Sequence, residues 1–246
     1  MKAIILAAGR GSRMGDLTIS KPKCLLKING RSIIDYQLEA LTSAGADEIG
    51  LITGYKSSQL AGIADKTFFN DEWDQTNMAY SLTFAHDWLS RNECLVSYSD
   101  IFYDVAIASQ LTKSESQIAI AYDPHWEHLW SQRFADPLDD AETFQISRDS
   151  FLLKIGDKPK NLDEIHGQYM GLWKFKPEGW EIFKEILKKS FLKRSKSVHL
   201  TRVLQDAIDQ GIKVKTVPNL GPWGEVDSEN DLNLYNQDCE RTLSIK

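Results

Sequence analysis

The N-terminal segment of this 246-residue chain constrains its fold more than any other feature. Residues Ala3 to Leu6 are continuously apolar rather than alternating, which is typical of a strand buried on both faces of a parallel sheet. The apolar stretch is too short for the core of a secretion signal, and it leads directly into a loop that contains Gly9 and Gly11. We therefore predict a buried strand that ends in a glycine-rich loop.

The segments that follow alternate between helical and extended patterns. Ser32 to Ala44 has helical apolar spacing, a capping box formed by Ser32 and Asp35, and a stop at Gly45. Residues 48–53 return as a second apolar strand, and a strand, helix, strand order implies a right-handed parallel crossover. Further along the chain we predict helices over 57–64, 78–88, 177–189 and 199–210, and strands over 66–69, 94–98, 118–122, 144–146, 151–155, 169–175 and 213–217.

This alternation predicts an α/β fold of Rossmann-like type, with a mixed, mostly parallel sheet flanked by helices. The rhythm changes near residue 118, where a segment rich in tryptophan and acidic residues precedes a hairpin. No repeat or low-complexity tract divides the chain. We therefore predict one domain over residues 1–246, with an inserted lobe around residues 122–175 that covers the sheet.

Composition excludes several classes of protein. A net charge of -6 argues against phosphate-neutralising binding of nucleic acid. The three cysteines, Cys24, Cys94 and Cys239, are widely spaced, so neither a disulfide framework nor a zinc site is indicated and we expect a reducing cytoplasm. No segment approaches the roughly 18 to 20 apolar residues needed to cross a bilayer, so we expect no membrane insertion. The sequence gives no indication of an oligomeric state.

The glycine loop is also the place where positive charge is concentrated. Backbone N–H groups of a glycine turn after a buried strand can approach an anion closely, so the loop is a candidate phosphate cradle. It is not a P-loop, because no Gly-Lys-Ser/Thr follows, and it is not a dinucleotide fingerprint, because Met14 stands at the third glycine position. The loop carries four cations: Arg10, Arg13, Lys21 and Lys23.

The run Ala7-Ala8-Gly9-x-Gly11-Ser12-Arg13, followed by Pro22-Lys23, resembles the N-terminal motif of the sugar-phosphate and phosphocholine nucleotidyltransferases. The resemblance extends over essentially the whole chain and implies a GT-A-type fold. It implies catalytic roles for Arg13, at the leaving pyrophosphate, and for Lys23, at the α-phosphate. The proline that commonly follows the arginine is missing from residues 14–18, which we expect to alter loop stiffness more than chemistry. The implied nucleotide-binding residues of the motif are Leu6, Ala7, Ala8, Gly9, Arg10, Gly11, Ser12, Arg13 and Lys23.

Two aspartates are candidates for a metal site. Asp100 ends the predicted strand over 94–98, where open α/β sheets place ligand-binding groups. The resemblance implies that Asp100 contacts the nucleotide and, with Asp227, holds Mg²⁺, with Mn²⁺ as an alternative ion. Carboxylates together with triphosphate oxygens suit Mg²⁺. The alternatives are a turn role for Asp100 and a cap role for Asp227 before a helix at Ser228. Asp104 and Glu225 are candidates for supporting groups.

A polar stretch at the start of the predicted helix over 78–88 resembles the segment that contacts cytosine and ribose in the phosphocholine branch of the family. The resemblance favours CTP over UTP or TTP. An ordinary helix cap is the alternative for Asn77. The implied nucleotide-binding residues here are Thr76, Asn77, Tyr80 and Ser81.

Residues 123–143 are too polar for a core and too aromatic for an ordinary loop. They resemble a bacterial group, related to the phosphocholine enzymes, that includes CTP:phosphoglutamine cytidylyltransferase of capsule synthesis. Either aromatic rings form a cage for a quaternary ammonium, or Arg133 and the acidic run hold an amino-acid acceptor. A third alternative is that the tryptophans only pack. The candidate acceptor-binding residues are Trp126, Trp130, Arg133, Lys158, Gln168 and Tyr169.

The resemblance thus implies a cytidylyltransferase. Its partners would be CTP and a small acceptor such as phosphoglutamine or phosphocholine, whose phosphate or phosphonate receives CMP while pyrophosphate leaves. Two alternatives stay open at this point. One is a sugar-1-phosphate nucleotidyltransferase that uses UTP, TTP or GTP, and the other is a nucleotide-sensing module without catalysis.

Overall fold

A computed structural model describes residues 1–237, so Cys239 lies outside the described residues. The strands are β1 Lys2–Ala7, β2 Lys27–Ile28, β3 Arg31–Ser32, β4 Glu48–Thr53, β5 Lys66–Phe69, β6 Cys94–Tyr98, β7 Ile101–Tyr103, β8 Ile118–Asp123, β9 Phe144–Ile146, β10 Leu152–Ile155, β11 Gln168–Phe175, β12 Lys215–Pro218 and β13 Trp223–Glu225. Within the described residues, seven of these form the central sheet in the order β12-β8-β11-β6-β1-β4-β5. Strand β11 is antiparallel to β6 and β8, and the other pairs are parallel. The predicted mixed, mostly parallel sheet is confirmed.

The helices flank this sheet. They are α1 Ile33–Ser43, α2 Met78–Ser81, α3 His86–Leu89, α4 Val105–Thr112, α5 Trp126–Arg133, α6 Pro177–Lys193, α7 Leu200–Asp209 and α8 Glu229–Gln237. The predicted capping box of α1 is present, and Gly45 follows the helix with a φ of 96°. Helix α1 is therefore confirmed together with the signals that begin and end it.

Two predicted helices are wrong in extent. Residues 57–64 contain only a 3₁₀ turn at Ser57–Leu60, because Lys56 and Gly62 on either side have positive φ. Residues 78–88 are broken into α2, a 3₁₀ turn at Leu82–Ala85 and α3. The Thr83 hydroxyl donates to the carbonyl of Tyr80 at 2.7 Å, a local bond of the kind that competes with regular helix.

Both faces of the sheet are covered, which explains the continuous apolar pattern of β1. Ala3 and Ile5 face a core cluster that includes residues of α1 and α4. Ile4 and Leu6 face a second cluster that includes residues of α6 and α7. Because alternate side chains of a strand point to opposite faces, a strand between two helical layers needs apolar residues at every position.

A short antiparallel ladder between β7 and β13 was absent from the sequence predictions. It pairs Glu225 with Ile101 and Gly224 with Phe102. A Cβ at Gly224 would lie 2.5 Å from the Phe102 ring, so the close approach of the two strands requires glycine there. The ladder joins two strands that are far apart in the sequence. Each strand has only three residues.

The segment between β8 and β11 lies outside the central sheet. It contains α5 and the predicted hairpin, which is present as antiparallel β9 and β10. Both β8 and β11 belong to the sheet, so the inserted part of the predicted lobe is residues 124–167. Among the described residues, no helix is both long and apolar enough to cross a membrane.

Candidate active site

The glycine loop follows β1 at the carboxyl edge of the sheet. Gly11 has a φ of 70°, a left-handed conformation that favours glycine. A Cβ at this position would lie 2.8 Å from Cδ of Lys23, so the absence of a side chain lets Lys23 lie against the loop backbone. The Thr18 hydroxyl donates to the Gly11 carbonyl at 3.1 Å and fixes the turn from the other side. The conformation of the loop therefore leaves room for the Lys23 side chain and helps to position it.

Lys23 bridges the two predicted metal ligands. Its buried Nζ donates to Asp100 Oδ2 at 2.9 Å and to Asp227 Oδ1 at 2.6 Å. The side chain of Arg13, which is 69% exposed, reaches Asp227 Oδ2 at 2.9 Å. The structure thus brings together four residues to which the family resemblance gives parts in one reaction, although Arg13 and Asp227 are 214 positions apart in the chain.

Burial and charge act in opposite directions on this group. Burial alone would lower the pKa of Lys23, but Asp100 and Asp227 outweigh burial and the pKa is raised. Burial alone would raise the pKa of Asp227, but Lys23 and Arg13 outweigh it and the pKa is lowered. Both groups are therefore held in their charged forms at neutral pH.

The ladder between β7 and β13 places the two aspartates side by side. Asp100 lies in the turn between β6 and β7, and the backbone N–H of Val226 donates to the Asp100 carbonyl at 2.9 Å. Asp227 lies two positions after the end of β13. Its carboxylate binds Lys23 and Arg13, and the cap of α8 is Ser228, whose hydroxyl accepts from the N–H of Asp231 at 3.2 Å. The alternative cap role of Asp227 is therefore wrong.

A third carboxylate joins these aspartates. One carboxylate oxygen from each of Asp100, Glu225 and Asp227 can be chosen such that all lie within 4.8 Å of one another. Asp100 Oδ1 is buried and accepts no hydrogen bond from the described part of the chain. A compact set of carboxylate oxygens, one of them unsatisfied, fits a hard divalent cation.

Arg133 lies behind this cluster rather than in an open pocket. Its side chain is fully buried, and its guanidinium contacts Glu225 at 3.1 Å and Asp231 at 2.8 Å. Asp231 in turn accepts the backbone N–H of Asp227 at 2.9 Å. Because both carboxylate partners are internal, Arg133 positions the segment that carries Glu225 and Asp227, which departs from the expectation that Arg133 contacts an acceptor directly.

A small cavity of about 70 Å³ lies beside the glycine loop. Asn70 is completely buried below it, and its Nδ2 donates to the hydroxyls of Thr76 at 3.1 Å and Ser81 at 3.0 Å. The cavity therefore combines an aromatic ring with oriented hydroxyls at the end of β1. Its lining residues are Leu6, Ala8, Gly9, Trp73, Thr76, Asn77, Met78 and Ser81.

The other two residues of the predicted base-binding stretch have structural contacts. Asn77 Oδ1 accepts the N–H of Met78 at 2.7 Å, so the helix-cap alternative describes this side chain. The Tyr80 hydroxyl donates to Glu72 at 2.7 Å, and Lys196 lies 4.4 Å from the centre of the Tyr80 ring. Tyr80 thus contributes to the contact that joins this stretch to the segment between α6 and α7.

A larger cavity of about 410 Å³ begins at the carboxylate cluster and continues toward the inserted segment. Three of the predicted acceptor-binding residues line it: Trp130, Gln168 and Tyr169. Gln168 is buried, and its amide both donates to the Glu142 carbonyl at 2.7 Å and accepts the Glu142 N–H at 3.2 Å. This pair of bonds fixes the backbone of Glu142 at the cavity.

Two other predicted acceptor residues lie elsewhere. Trp126 is 5% exposed and packs edge to face against Trp130, with ring centres 6.1 Å apart. Lys158 donates to the carbonyls of Leu138 and, at 2.6 Å, Asp139, so it fastens the loop that precedes Asp140. The packing alternative thus describes Trp126, and Lys158 acts on the loop.

Several cavity residues were not singled out from the sequence. Tyr98 is the last residue of β6, two positions before Asp100, and that position at the carboxyl end of a strand is a usable signal. Asp140 and Glu142 are visible in the sequence only as part of an acidic run. His199 and Thr201 come from the start of α7, and the sequence gives no local signal for them.

A glycine loop and a lysine at the carboxyl edge of a mixed α/β sheet, facing a carboxylate cluster, define a nucleotidyltransferase. The chain belongs to the MobA-like NTP transferase family, whose domain matches residues 3–154. The enzyme class predicted from the sequence is confirmed, and the non-catalytic alternative is not supported.

Individual relatives agree with this class. The chain is 36% identical to the CTP:phosphoglutamine cytidylyltransferase of Campylobacter jejuni subsp. jejuni serotype O:2, over 95% of this chain and 98% of the relative. It is 34% identical to the choline-phosphate cytidylyltransferase of Streptococcus pneumoniae, over 46% of this chain and 51% of the relative. Among solved structures, the inositol-1-phosphate CTP transferase of T. maritima has the same fold, with a TM-score of 0.77 at 19% identity over 100% of this chain and 97% of the other.

Proposed function

We propose that this protein is a cytidylyltransferase that transfers CMP from CTP to the phosphate or phosphonate of a small acceptor. The bridge from Lys23 to Asp100 and Asp227, two carboxylates that line the larger cavity, is the observation that carries the proposal. We assign the nucleobase of CTP to the small cavity and the acceptor to the large cavity. The relatives named above act on CTP, which supports the choice of nucleotide.

The reaction is a displacement at the α-phosphorus of CTP. An oxygen of the acceptor phosphate forms a bond to this phosphorus while the bond to the oxygen bridging the α- and β-phosphates breaks. Pyrophosphate leaves with that oxygen and its electron pair. A phosphomonoester has a second pKa near 6, so the acceptor is largely dianionic at neutral pH and needs no general base.

The chain's own residues then act by position and charge. Backbone N–H groups of the loop at Gly9 and Gly11 bind the triphosphate, and Lys23 stabilises charge on the α-phosphate. Arg13 is largely exposed and can follow the leaving pyrophosphate. The bridge to Asp100 and Asp227 holds Lys23 within the site before the nucleotide binds, so little reorganisation is needed during the reaction.

We assign a divalent cation, Mg²⁺ or alternatively Mn²⁺, to Asp100 and Asp227, with Glu225 beside them. When bound, such an ion supplies charge neutralisation for the triphosphate oxygens. The three carboxylates and the unsatisfied Asp100 Oδ1 fit this role. Free buried thiols at Cys24 and Cys94 support a cytoplasmic location for the reaction. The similarity to a phosphoglutamine enzyme supports a role in cell-surface polysaccharide synthesis.

Pyrophosphate release tests the proposal. The purified protein is incubated with Mg²⁺, one of CTP, UTP, TTP or GTP, and one of phosphoglutamine, phosphocholine, 2-aminoethylphosphonate or glucose 1-phosphate. We expect release with CTP and an acceptor from the first three. Preferential turnover of glucose 1-phosphate with UTP, TTP or GTP would instead identify a sugar-1-phosphate nucleotidyltransferase, which fewer of the similar proteins support.

A further inference from the structure

The acceptor side of the large cavity contains two carboxylates that are poorly compensated within the described part of the chain: Arg133 and Arg13 attract the Asp140 charge only from a distance. Asp140 and Glu142 both line the cavity and are both partly buried. Among the described residues, neither carboxylate takes part in a hydrogen bond or an ion pair. Burial raises the pKa of Glu142, and the neighbouring charges of Asp140 and Asp157 raise it further. Partial burial of a charged carboxylate without an ion-pair partner costs free energy, and a cationic ligand would remove this cost.

An unsatisfied donor lies in the same cavity. Trp130 is 3% exposed, and its indole N–H has no acceptor among residues 1–237. Buried polar groups are nearly always hydrogen-bonded, so this N–H indicates a ligand atom that accepts from it. Together with the carboxylates, the cavity offers acceptors for a cation and a donor for an oxygen.

The aromatic rings at the cavity are engaged with one another. Tyr98 and Tyr169 pack edge to face with centres 5.7 Å apart, and the Tyr169 hydroxyl accepts from the indole of Trp173. Trp126 is buried against Trp130. A quaternary ammonium has no N–H and is bound by open ring faces, whereas a primary ammonium donates three hydrogen bonds. The available groups suit the primary ammonium.

We propose that Glu142, with Asp140 beside it, binds a primary ammonium group of the acceptor, and that Trp130 donates to an oxygen next to that group. The acceptor class is a small phosphate or phosphonate that carries a primary amine, such as a phosphorylated amino acid. The two bonds between Gln168 and the backbone of Glu142 fix the main chain from which this carboxylate extends. This inference rests on the proposed function, because the acceptor that binds in this cavity provides the attacking phosphate.

The test compares acceptors that differ at the cation. With CTP and Mg²⁺, kcat/KM for pyrophosphate release is measured for phosphoglutamine, 2-aminoethyl phosphate and 3-aminopropyl phosphate, for phosphocholine, and for ethyl phosphate, which has no cation. The variants are Glu142→Gln and, as a control on the exposed side of α5, Glu127→Gln. Titration calorimetry of the best ammonium acceptor gives its Kd for each protein, and titration with CTP gives the nucleotide Kd.

We expect wild-type protein to prefer an ammonium acceptor to phosphocholine. Glu142→Gln should lower kcat/KM for that acceptor by about 10- to 100-fold, mainly through KM, because a charge-assisted hydrogen bond is lost. Ethyl phosphate turnover and the Kd for CTP should change less than about threefold, and Glu127→Gln should match wild type.

Two results separate the inference from the proposed function. Equal losses for ethyl phosphate and the ammonium acceptor, or an unchanged Kd for the ammonium acceptor in Glu142→Gln, overturn the assignment of Glu142 while turnover stands. A wild-type preference for phosphocholine overturns it as well. Absence of pyrophosphate release with every acceptor and every nucleotide overturns the proposed function and the inference together.

Discussion

The carboxylates at the two ends of the large cavity differ in their ion-pair partners. At the nucleotide end, Asp100 and Asp227 are paired with Lys23 and Arg13 of the chain itself. At the acceptor end, neither Asp140 nor Glu142 forms an ion pair among the described residues, and Arg133 and Arg13 attract the Asp140 charge only from a distance. The difference indicates that the nucleotide end is assembled in the free protein, whereas the acceptor end is completed by its ligand. Removing a charge should therefore have opposite effects on stability at the two ends.

The largest effect is expected for Asp100→Asn. Loss of one carboxylate charge weakens the cation site and the hold on Lys23, so turnover should fall by about 10³-fold or more. The measurement is pyrophosphate release, with circular dichroism to show that the fold is retained. Asp149→Asn, at an exposed turn between β9 and β10, is the matched control and should turn over normally. Near-normal activity of Asp100→Asn would overturn the metal assignment.

Lys23→Met tests the pairing at the nucleotide end. Lys23 is 7% exposed, and its removal leaves the partly buried Asp100 and the buried Asp227 facing each other, with Arg13 as the remaining ion-pair partner of Asp227 among the described residues. We expect the free energy of unfolding in urea to fall by about 3 kcal/mol, and Mn²⁺ to restore part of that loss. Lys21→Met, in the same loop, should change it by less than about 0.5 kcal/mol. An unchanged stability of Lys23→Met would mean that the bridge contributes nothing to the free protein.

Glu142→Gln tests the opposite prediction for the acceptor end. Its folded-state pKa is raised by burial, so the folded protein binds more protons than the unfolded chain above the ordinary glutamate pKa. Wild-type stability is then lost as pH rises through that window, and the amide does not titrate. We expect Glu142→Gln to be more stable than wild type by about 0.5 to 2 kcal/mol at pH 7, with a smaller gain at pH 4. A destabilised variant would show that this carboxylate has an internal partner.

Lys158→Met should give the smallest effect. Because Lys158 donates to the carbonyls of Leu138 and Asp139, we infer that it fixes the loop before Asp140 rather than contacting the acceptor phosphate. We expect KM for the acceptor to rise about threefold and stability to change by less than about 0.5 kcal/mol. A loss of kcat/KM near 100-fold would support direct phosphate contact instead.

The same contrast separates what the sequence predicts from what it does not. Strand β1, the glycine loop and α1 are predicted because their signals are local: a continuous apolar run, two glycines and a capping box. The roles suggested for Lys23, Asp100 and Asp227 depend on family resemblance, and their contacts depend on the ladder between β7 and β13. That ladder joins strands of three residues each, which are too short for a periodicity to identify.

The acceptor end shows why composition alone is insufficient. Arg133 and Trp126 have the residue types of a ligand site, yet burial directs them into internal contacts. Glu142 is one acidic residue among several in the sequence, and only the arrangement of neighbouring groups distinguishes it. Whether a charged side chain has an internal partner is a property of tertiary structure, so no local pattern reports it.

Isotope labelling tests the central claim of CMP transfer most directly. An ammonium acceptor whose three terminal phosphate oxygens are labelled with ¹⁸O is incubated with unlabelled CTP and Mg²⁺. The masses of the products are then measured by mass spectrometry. Attack by the acceptor phosphate on the α-phosphorus predicts a CMP-linked acceptor that retains all three labelled oxygens, together with unlabelled pyrophosphate. Free CMP as the main product, or ¹⁸O in the pyrophosphate, would contradict the account.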